Sequence, residues 1–336
     1  MWKNSSIAVI VIIALMLAAC QNPKSTSDSM DKQEQKKEIK AVNPSVEIVE
    51  KCKLFVPPWG DQDWSEWWQA NPESGEKWFS EVQGKMKKAD LSLLSQCTHL
   101  TNMLIGFAPL RNKHLEALSG LTQLKQLDIR FAMEVTDLTP LASLKNLEHL
   151  SIWSTSVSDL SPLTGLDKLK TINARMTKIT DLRPLSAMKS LESIDLLKTD
   201  VTDISPLASV KNIKEILACT TKVADLSSLY PVAEKISYLD LCNTPFTTFE
   251  DIKKFQNLKI LKLWGMTLGK LDFITPLKSL EELDLSEAQF ESLKPLYSLK
   301  NLKKITMLST LHKKEEIAEL KRITPTITII LTLDQL

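Results

Sequence analysis

Only 8 glycines are spread over the 336 residues, too few and too scattered for a loop that cradles a phosphate or for a dinucleotide fingerprint. Histidine is rarer still. His99, His114, His149 and His312 are the whole set, with no HExxH run and no paired spacing, so the sequence predicts no metal site and no cofactor. No GxSxG elbow announces a nucleophile, and no insertion between regular segments is large enough to host a site, which argues against an enzyme. An excess of one charge is missing too: 42 basic residues face 41 acidic ones, so the basic face that nucleic acid demands is not there. The apolar stretch near the N-terminus, Ile7 to Leu17, falls short of the about 20 residues a membrane span needs.

That stretch has a different reading. Lys3 precedes it and small residues follow it, the order of a secretory signal over residues 1–19. Leu17-Ala18-Ala19-Cys20 resembles the bacterial lipobox, which is cut before a cysteine carrying diacylglycerol. The resemblance implies that Cys20 is the lipidated first residue of the mature protein and ties it to a membrane. Gln21 after it implies passage to the outer membrane, if the host is Gram-negative. Residues 20–52 turn to Lys, Glu, Gln, Ser and Asp, a composition that cannot offset the entropy of ordering and reads as a flexible tether with a reach on the order of 30 Å.

What the chain has in abundance is repetition. "VTDLTPLASL" at Val135 returns as "VSDLSPLTGL", "ITDLRPLSAM" and "VTDISPLASV", and Asp137, Asp159, Asp181, Asp203 and Asp225 fall 22 residues apart. Within a repeat, Leu150-Ser151-Ile152 alternates with strand period while the flanking leucines step by three, which suits a short 3₁₀ turn. No single repeat can bury its leucines alone, so the units must stack with their strands paired in parallel. Strand centres are predicted at Met103, Leu127, Leu150, Ile172, Ile194, Ile216, Leu239, Leu261, Leu283 and Ile305. The pattern over 94–312 resembles the internalin-like bacterial leucine-rich repeats of the short class, with their LxxLxLxxN and DLxPL segments. The implied fold class is α/β: a solenoid with a curved parallel sheet and a 3₁₀ or loop convex side. Thr155, Thr177, Thr199, Thr221, Thr244 and Thr310 stand where that family has asparagine, and their hydroxyls are expected to bond backbone groups of the turn. The aspartates are expected to accept from N–H groups at the start of each 3₁₀ turn. Between Leu229 and Leu258 the regularity fails, and a more helical convex segment is expected over Phe246–Phe255.

Both ends of a stacked core need closing. Trp64, Trp67 and Trp68, with Trp78, Val82 and Met86, give helical spacing within residues 53–93, read as an N-terminal cap. A carbohydrate or peptidoglycan platform is the alternative use of those tryptophans. Residues 313–336 read as a closing helix, about Lys313 to Arg322, and an edge strand. Cys52 and Cys97 flank the N-terminal cap and form the candidate disulfide in an oxidising envelope. Cys219 and Cys242 occupy equivalent places on neighbouring strands, close enough for a disulfide but pointing alongside each other, and their state stays open.

With the leucines turned inward, the residues between and beside them face the concave side. There the sequence places His149, Trp153, Arg175, Asp195, Leu197, Leu217, Tyr238, Lys262 and Trp264. Large apolar groups expected in solvent, ringed by charge, mark an interface. The sequence therefore points to a monomeric, lipid-anchored, non-catalytic scaffold that binds a macromolecule, a protein in the first place, through its concave face.

Overall fold

The computed structural model describes residues 91–308 and 314–331. The lipobox, the tether, the tryptophans before residue 91, Thr310 and His312 lie outside the described residues. Within them the chain is a solenoid built around one parallel sheet of 11 strands. The strands are β1 (Asn102–Leu104), β2 (Gln126–Asp128), β3 (His149–Ser151), β4 (Thr171–Asn173) and β5 (Ser193–Asp195). They continue with β6 (Glu215–Leu217), β7 (Tyr238–Asp240), β8 (Ile260–Lys262), β10 (Glu282–Asp284), β12 (Lys304–Thr306) and β13 (Thr328–Ile330). All ten predicted strand centres are the middle residues of strands, and they pair with one another in register, Leu150 with Ile172, Ile172 with Ile194 and so on. The inward leucines, isoleucines and valines of every turn join one continuous core.

The local reasons are visible turn by turn. Asp137, Asp159, Asp181, Asp203 and Asp225 each accept the N–H two residues on, at 2.8 to 2.9 Å. That carboxylate satisfies a donor the 3₁₀ turn leaves orphaned. Proline inside the first turn, as in Thr139–Ser143 and Ser205–Ser209, fixes φ where no amide is needed. The hydroxyls of Thr155, Thr177, Thr199, Thr221 and Thr244 all donate to the carbonyl three residues back, at 2.6 to 2.8 Å. Thus threonine holds the turn that leaves the strand.

The residue just before each of those threonines is left-handed: Ser154, Met176, Lys198, Thr220 and Asn243 have φ between 51° and 56°. Phe107, Phe131, Gly265 and Glu287 take the same place in other turns, and Gly269 is left-handed as well. The convex side departs from expectation in two places. The irregular segment is 3₁₀, Phe249–Lys254, and the longest convex helix is the 3₁₀ run Ser227–Lys235 one turn earlier, which contains Pro231. A short helix α1 (Asn112–Glu116) stands in the first turns, and β9 (Thr267–Gly269) pairs with β11 (Gln289–Phe290) in a small second sheet.

The C-terminal end closes as the sequence predicts. Helix α2 (Lys314–Ile323) buries Ile317 and Leu320, with glutamates in its first turn and Lys321 and Arg322 in its last, the arrangement a helix dipole favours. Glu316 accepts from Ser292 Oγ at 2.7 Å and from the Leu293 amide at 2.5 Å, so the cap supplies the acceptor for the last turn. Strand β13 then covers β12. Among the described residues, no helix is long and apolar enough to cross a membrane.

Candidate functional site

The concave face is built from three columns of side chains, one residue of each per strand or just beyond it. In the column that ends the strands, Asp128, Asn173, Asp195, Asp240 and Asp284 accept the N–H of the residue two further on, at 2.9 to 3.3 Å. The chain bends out of the strand there, and a short Asp or Asn side chain replaces the ladder partner the amide has lost. This repeated bond was not foreseen, although the D/N spacing at the strand ends carries its signal. Asp195, nominated for partner binding, therefore has a structural duty.

Charge on this face is largely neutralised within it. Arg130 pairs with Asp128 of its own strand end, through Nε at 2.7 Å, while Arg175 reaches across to Asp195 of the next repeat. Both arginines are buried. Lys262 is buried and holds its ammonium 5.4 Å from the centre of the Tyr238 ring. Burial pushes the Asp195 carboxyl above the usual carboxylate range, against the pull of Arg175. Burial likewise raises Asp284 and Glu215.

The exposure expected of the apolar concave residues is corrected. Trp153 is 9% exposed, Leu197 5%, Leu217 2% and Tyr238 0%, and Trp264 is half-buried. Strands about 4.8 Å apart bring equivalent side chains into contact, and these do pack sideways: Leu197, Cys219 and Cys242 with Trp264, and Leu217 with Tyr238 and Ile260. Arg175, Asp195 and Lys262 are buried for the same lateral reason and do not form an exposed charged ring. His149 remains half-buried, its Nδ1 2.9 Å from Thr171 Oγ1.

The accessible apolar surface lies one step further along the chain, in a column that sequence reasoning missed. Phe107 and Phe131 stack at 4.8 Å, and Phe131 meets Trp153 at the same distance. Arg130 lies 5.6 Å over the Trp153 ring, and Trp153 Nε1 donates toward Met176 Sδ at 3.4 Å. Phe107, Phe131 and Met176 are half-buried, and Met133 beside them is 65% exposed. The row therefore runs along one rim over four successive repeats. Its signal in the sequence is weak, because elsewhere the same column holds Ser154, Lys198, Thr220 and Glu287.

Cysteine chemistry divides into two places. Cys97 is disulfide-bonded; its predicted mate Cys52 lies outside the described residues. Cys219 and Cys242 are not in a disulfide. With the Asp240 carboxylate they bring three donor atoms within 4.8 Å of one another, all on buried residues. Reading histidine spacing alone could not find this group, since its members are two repeats' worth of sequence joined by the strand register.

No family model matches the chain, and no curated protein matches it in sequence. The fold has clear counterparts among solved structures. An internalin (inlF) from Listeria monocytogenes superposes with a TM-score of 0.53 at 19% identity, over 75% of this chain and 86% of that one. TLR13 in its complex with ssRNA13 gives 0.53 at 18% identity, over 72% of this chain and 41% of that one. The plant peptide hormone receptor RGFR1 in complex with RGF2 gives 0.50 at 15% identity, over 65% and 41%. The chain thus has the leucine-rich repeat solenoid fold.

Proposed function

We propose that this protein is a non-catalytic scaffold of the bacterial cell envelope, held to a membrane by lipid on Cys20, that binds a protein partner as a monomer on its concave side. In a Gram-negative host that membrane is the outer one. The lipobox-like Leu17-Ala18-Ala19-Cys20 supports the anchor. Support for binding comes from the accessible rim residues Phe107, Phe131 and Met133 rather than from the buried concave centre. The solved counterparts that carry a peptide or an RNA in their complexes lend the scaffold reading weight by analogy of fold.

One observation carries it. Phe107 and Phe131 sit at φ 67° and 61°, a conformation that costs a bulky residue on the order of 1–3 kcal/mol and that glycine or asparagine adopts with ease. Asn243 and Gly265 take this place in two later turns and Ser154, Met176, Lys198, Thr220 and Glu287 in others, so what sets the rim apart is that aromatic rings fill it. A chain that keeps two aromatic rings in strained positions at an accessible rim gives up stability for the surface they make.

The test uses Phe131→Asn with Met133→Ser. Asparagine relieves the strain while the lost stacking costs about 0.5–1.5 kcal/mol, so the double variant should stay folded, with a stability change under about 1 kcal/mol. In crosslinking from intact host cells, wild-type protein should capture a partner that this variant does not. Equal capture by both would overturn the rim assignment.

A further inference from the structure

We propose that Cys219, Asp240 and Cys242 form a binding site for a thiophilic d¹⁰ metal ion, Zn²⁺ in the first place. The three residues belong to adjacent repeats. Asp240 ends β7, Cys242 follows it by two residues, and Cys219 stands beside Cys242 from the neighbouring strand β6, because Leu217 and Asp240 are register partners. The donor atoms lie within 4.8 Å of one another. Tetrahedral zinc with Zn–S near 2.3 Å and Zn–O near 2.0–2.2 Å needs donors roughly 3.5–3.8 Å apart, so the site closes on an ion by about 1 Å of side-chain movement.

The same parallel geometry that disfavours a disulfide favours a shared ligand. Two thiols leaving neighbouring parallel strands point alongside each other, which is poor for the crossed Cβ–S–S–Cβ arrangement and good for two bonds converging on a third atom. The backbone holds the donors in place. Asp240 Oδ1 accepts the Cys242 amide at 3.0 Å, which fixes the carboxyl plane beside the two thiols. The Trp264 amide donates to Cys242 Sγ at 3.3 Å, a contact that suits a thiolate. Lys262, opposite Asp240 in the register, holds its ammonium 5.4 Å from the centre of the Tyr238 ring.

Each thiol loses a proton on binding, and the ion then carries two thiolates and one carboxylate. Thiolate donors in an apolar setting, here Leu197 and Trp264, select zinc or cuprous ion over magnesium or calcium. Three protein donors leave a fourth tetrahedral position for water.

The measurement is zinc titration of the full chain in detergent and a thiol-free reductant, against a chromophoric chelator, with cobalt substituted to read thiolate ligation by its charge-transfer absorption. Wild-type protein should bind at this site with submicromolar affinity and gain thermal stability from the ion. Cys219→Ala with Cys242→Ala should weaken binding at least 100-fold and abolish the charge-transfer band. Asp240→Asn, whose amide oxygen still accepts the Cys242 N–H, should keep the fold and weaken binding about 10-fold or more. Should the double variant fail to fold, Cys219→Ser alone carries the same expectation. Absence of tight zinc binding to the wild type, or equal affinity and an unchanged cobalt spectrum in the cysteine variants, would overturn the site.

Discussion

A Cβ on Gly106 would lie 2.7 Å from the Arg130 carbonyl oxygen and 2.8 Å from its Cγ. Gly106 donates its amide to Asp128 O at 3.1 Å and Phe107 donates to Arg130 O at 3.0 Å, so the first turns are sewn together where the clash would fall. The obstacle is partly backbone and cannot swing away. Gly106→Ala should therefore cost about 1–3 kcal/mol in urea unfolding. Gly120→Ala, where a Cβ meets nothing within 4 Å, is the control and should leave stability within about 0.5 kcal/mol. Similar losses in both variants would show that the close approach is not what selects glycine at 106. At this scale the threonine and aspartate bonds were legible, because a residue recurring every 22 positions in a turn has few backbone groups to meet. The left-handed column was not, since Phe107, Met176 and Lys198 carry none of the glycine or asparagine signature of that conformation.

Elements in a solenoid touch chiefly their neighbours, so damage to one turn stays near it. Asp203 holds the Ser205 amide at 2.8 Å at the head of Ser205–Ser209. Asp203→Ala should lose on the order of 1 kcal/mol. Hydrogen exchange should speed up in that turn and its two neighbours while β10 and β12 keep their protection. A uniform rise along the whole sheet would contradict nearest-neighbour stacking. A second set of bonds between turns escaped the sequence reading. Asn146, Asn212, Asn257 and Asn301 donate from their side chains to carbonyls 23 or 24 residues earlier, at 2.7 to 2.9 Å. Just before the strands, Lys125, Glu148, Lys170, Glu192 and Lys214 alternate in sign, with Lys170 to Glu148 and Lys214 to Glu192 paired at 2.6 and 2.7 Å. Exposed pairs of this kind add little stability, yet a shift of one whole repeat would set like charges side by side. Ser237 interrupts the alternation in the turn that carries the inserted residue.

For the whole molecule, two sets of carboxyls oppose each other as pH falls. Hydrogen bonds from Thr139, Ser161, Arg183 and Ser227 hold Asp137, Asp159, Asp181 and Asp225 below the usual carboxylate range. Their contribution is present above the unfolded-state value near 3.9 and is lost as pH drops through the depressed folded values. Burial lifts Asp284, Glu215 and Asp195 instead. These bind protons more readily folded than unfolded, so their effect favours the folded state as pH falls through the raised values and levels off below the unfolded ones. Denaturant midpoints should therefore be at least as high at pH 5 as at pH 8 and fall steeply below about pH 4. A steady decline from pH 7 would mean that the buried carboxyls do not set the balance.

The sequence alone determined the architecture: the strand centres, the parallel register, the threonine and aspartate bonds of the 22-residue repeats and the closing helix and strand. It could do so because each repeat meets a copy of itself, so one 22-residue pattern fixes both sides of every contact. It also assigned the inward and outward faces, since the side chains of a strand alternate. Tertiary structure alone decided which outward residues stay accessible. Trp153, Leu197, Leu217 and Tyr238 face away from the leucine core and are nevertheless buried, because burial there is set by side chains arriving from neighbouring repeats. For the same reason only the folded chain brings Cys219, Asp240 and Cys242 together. Their spacing of 21 and 2 residues means nothing along the chain and becomes one cluster when adjacent strands pair.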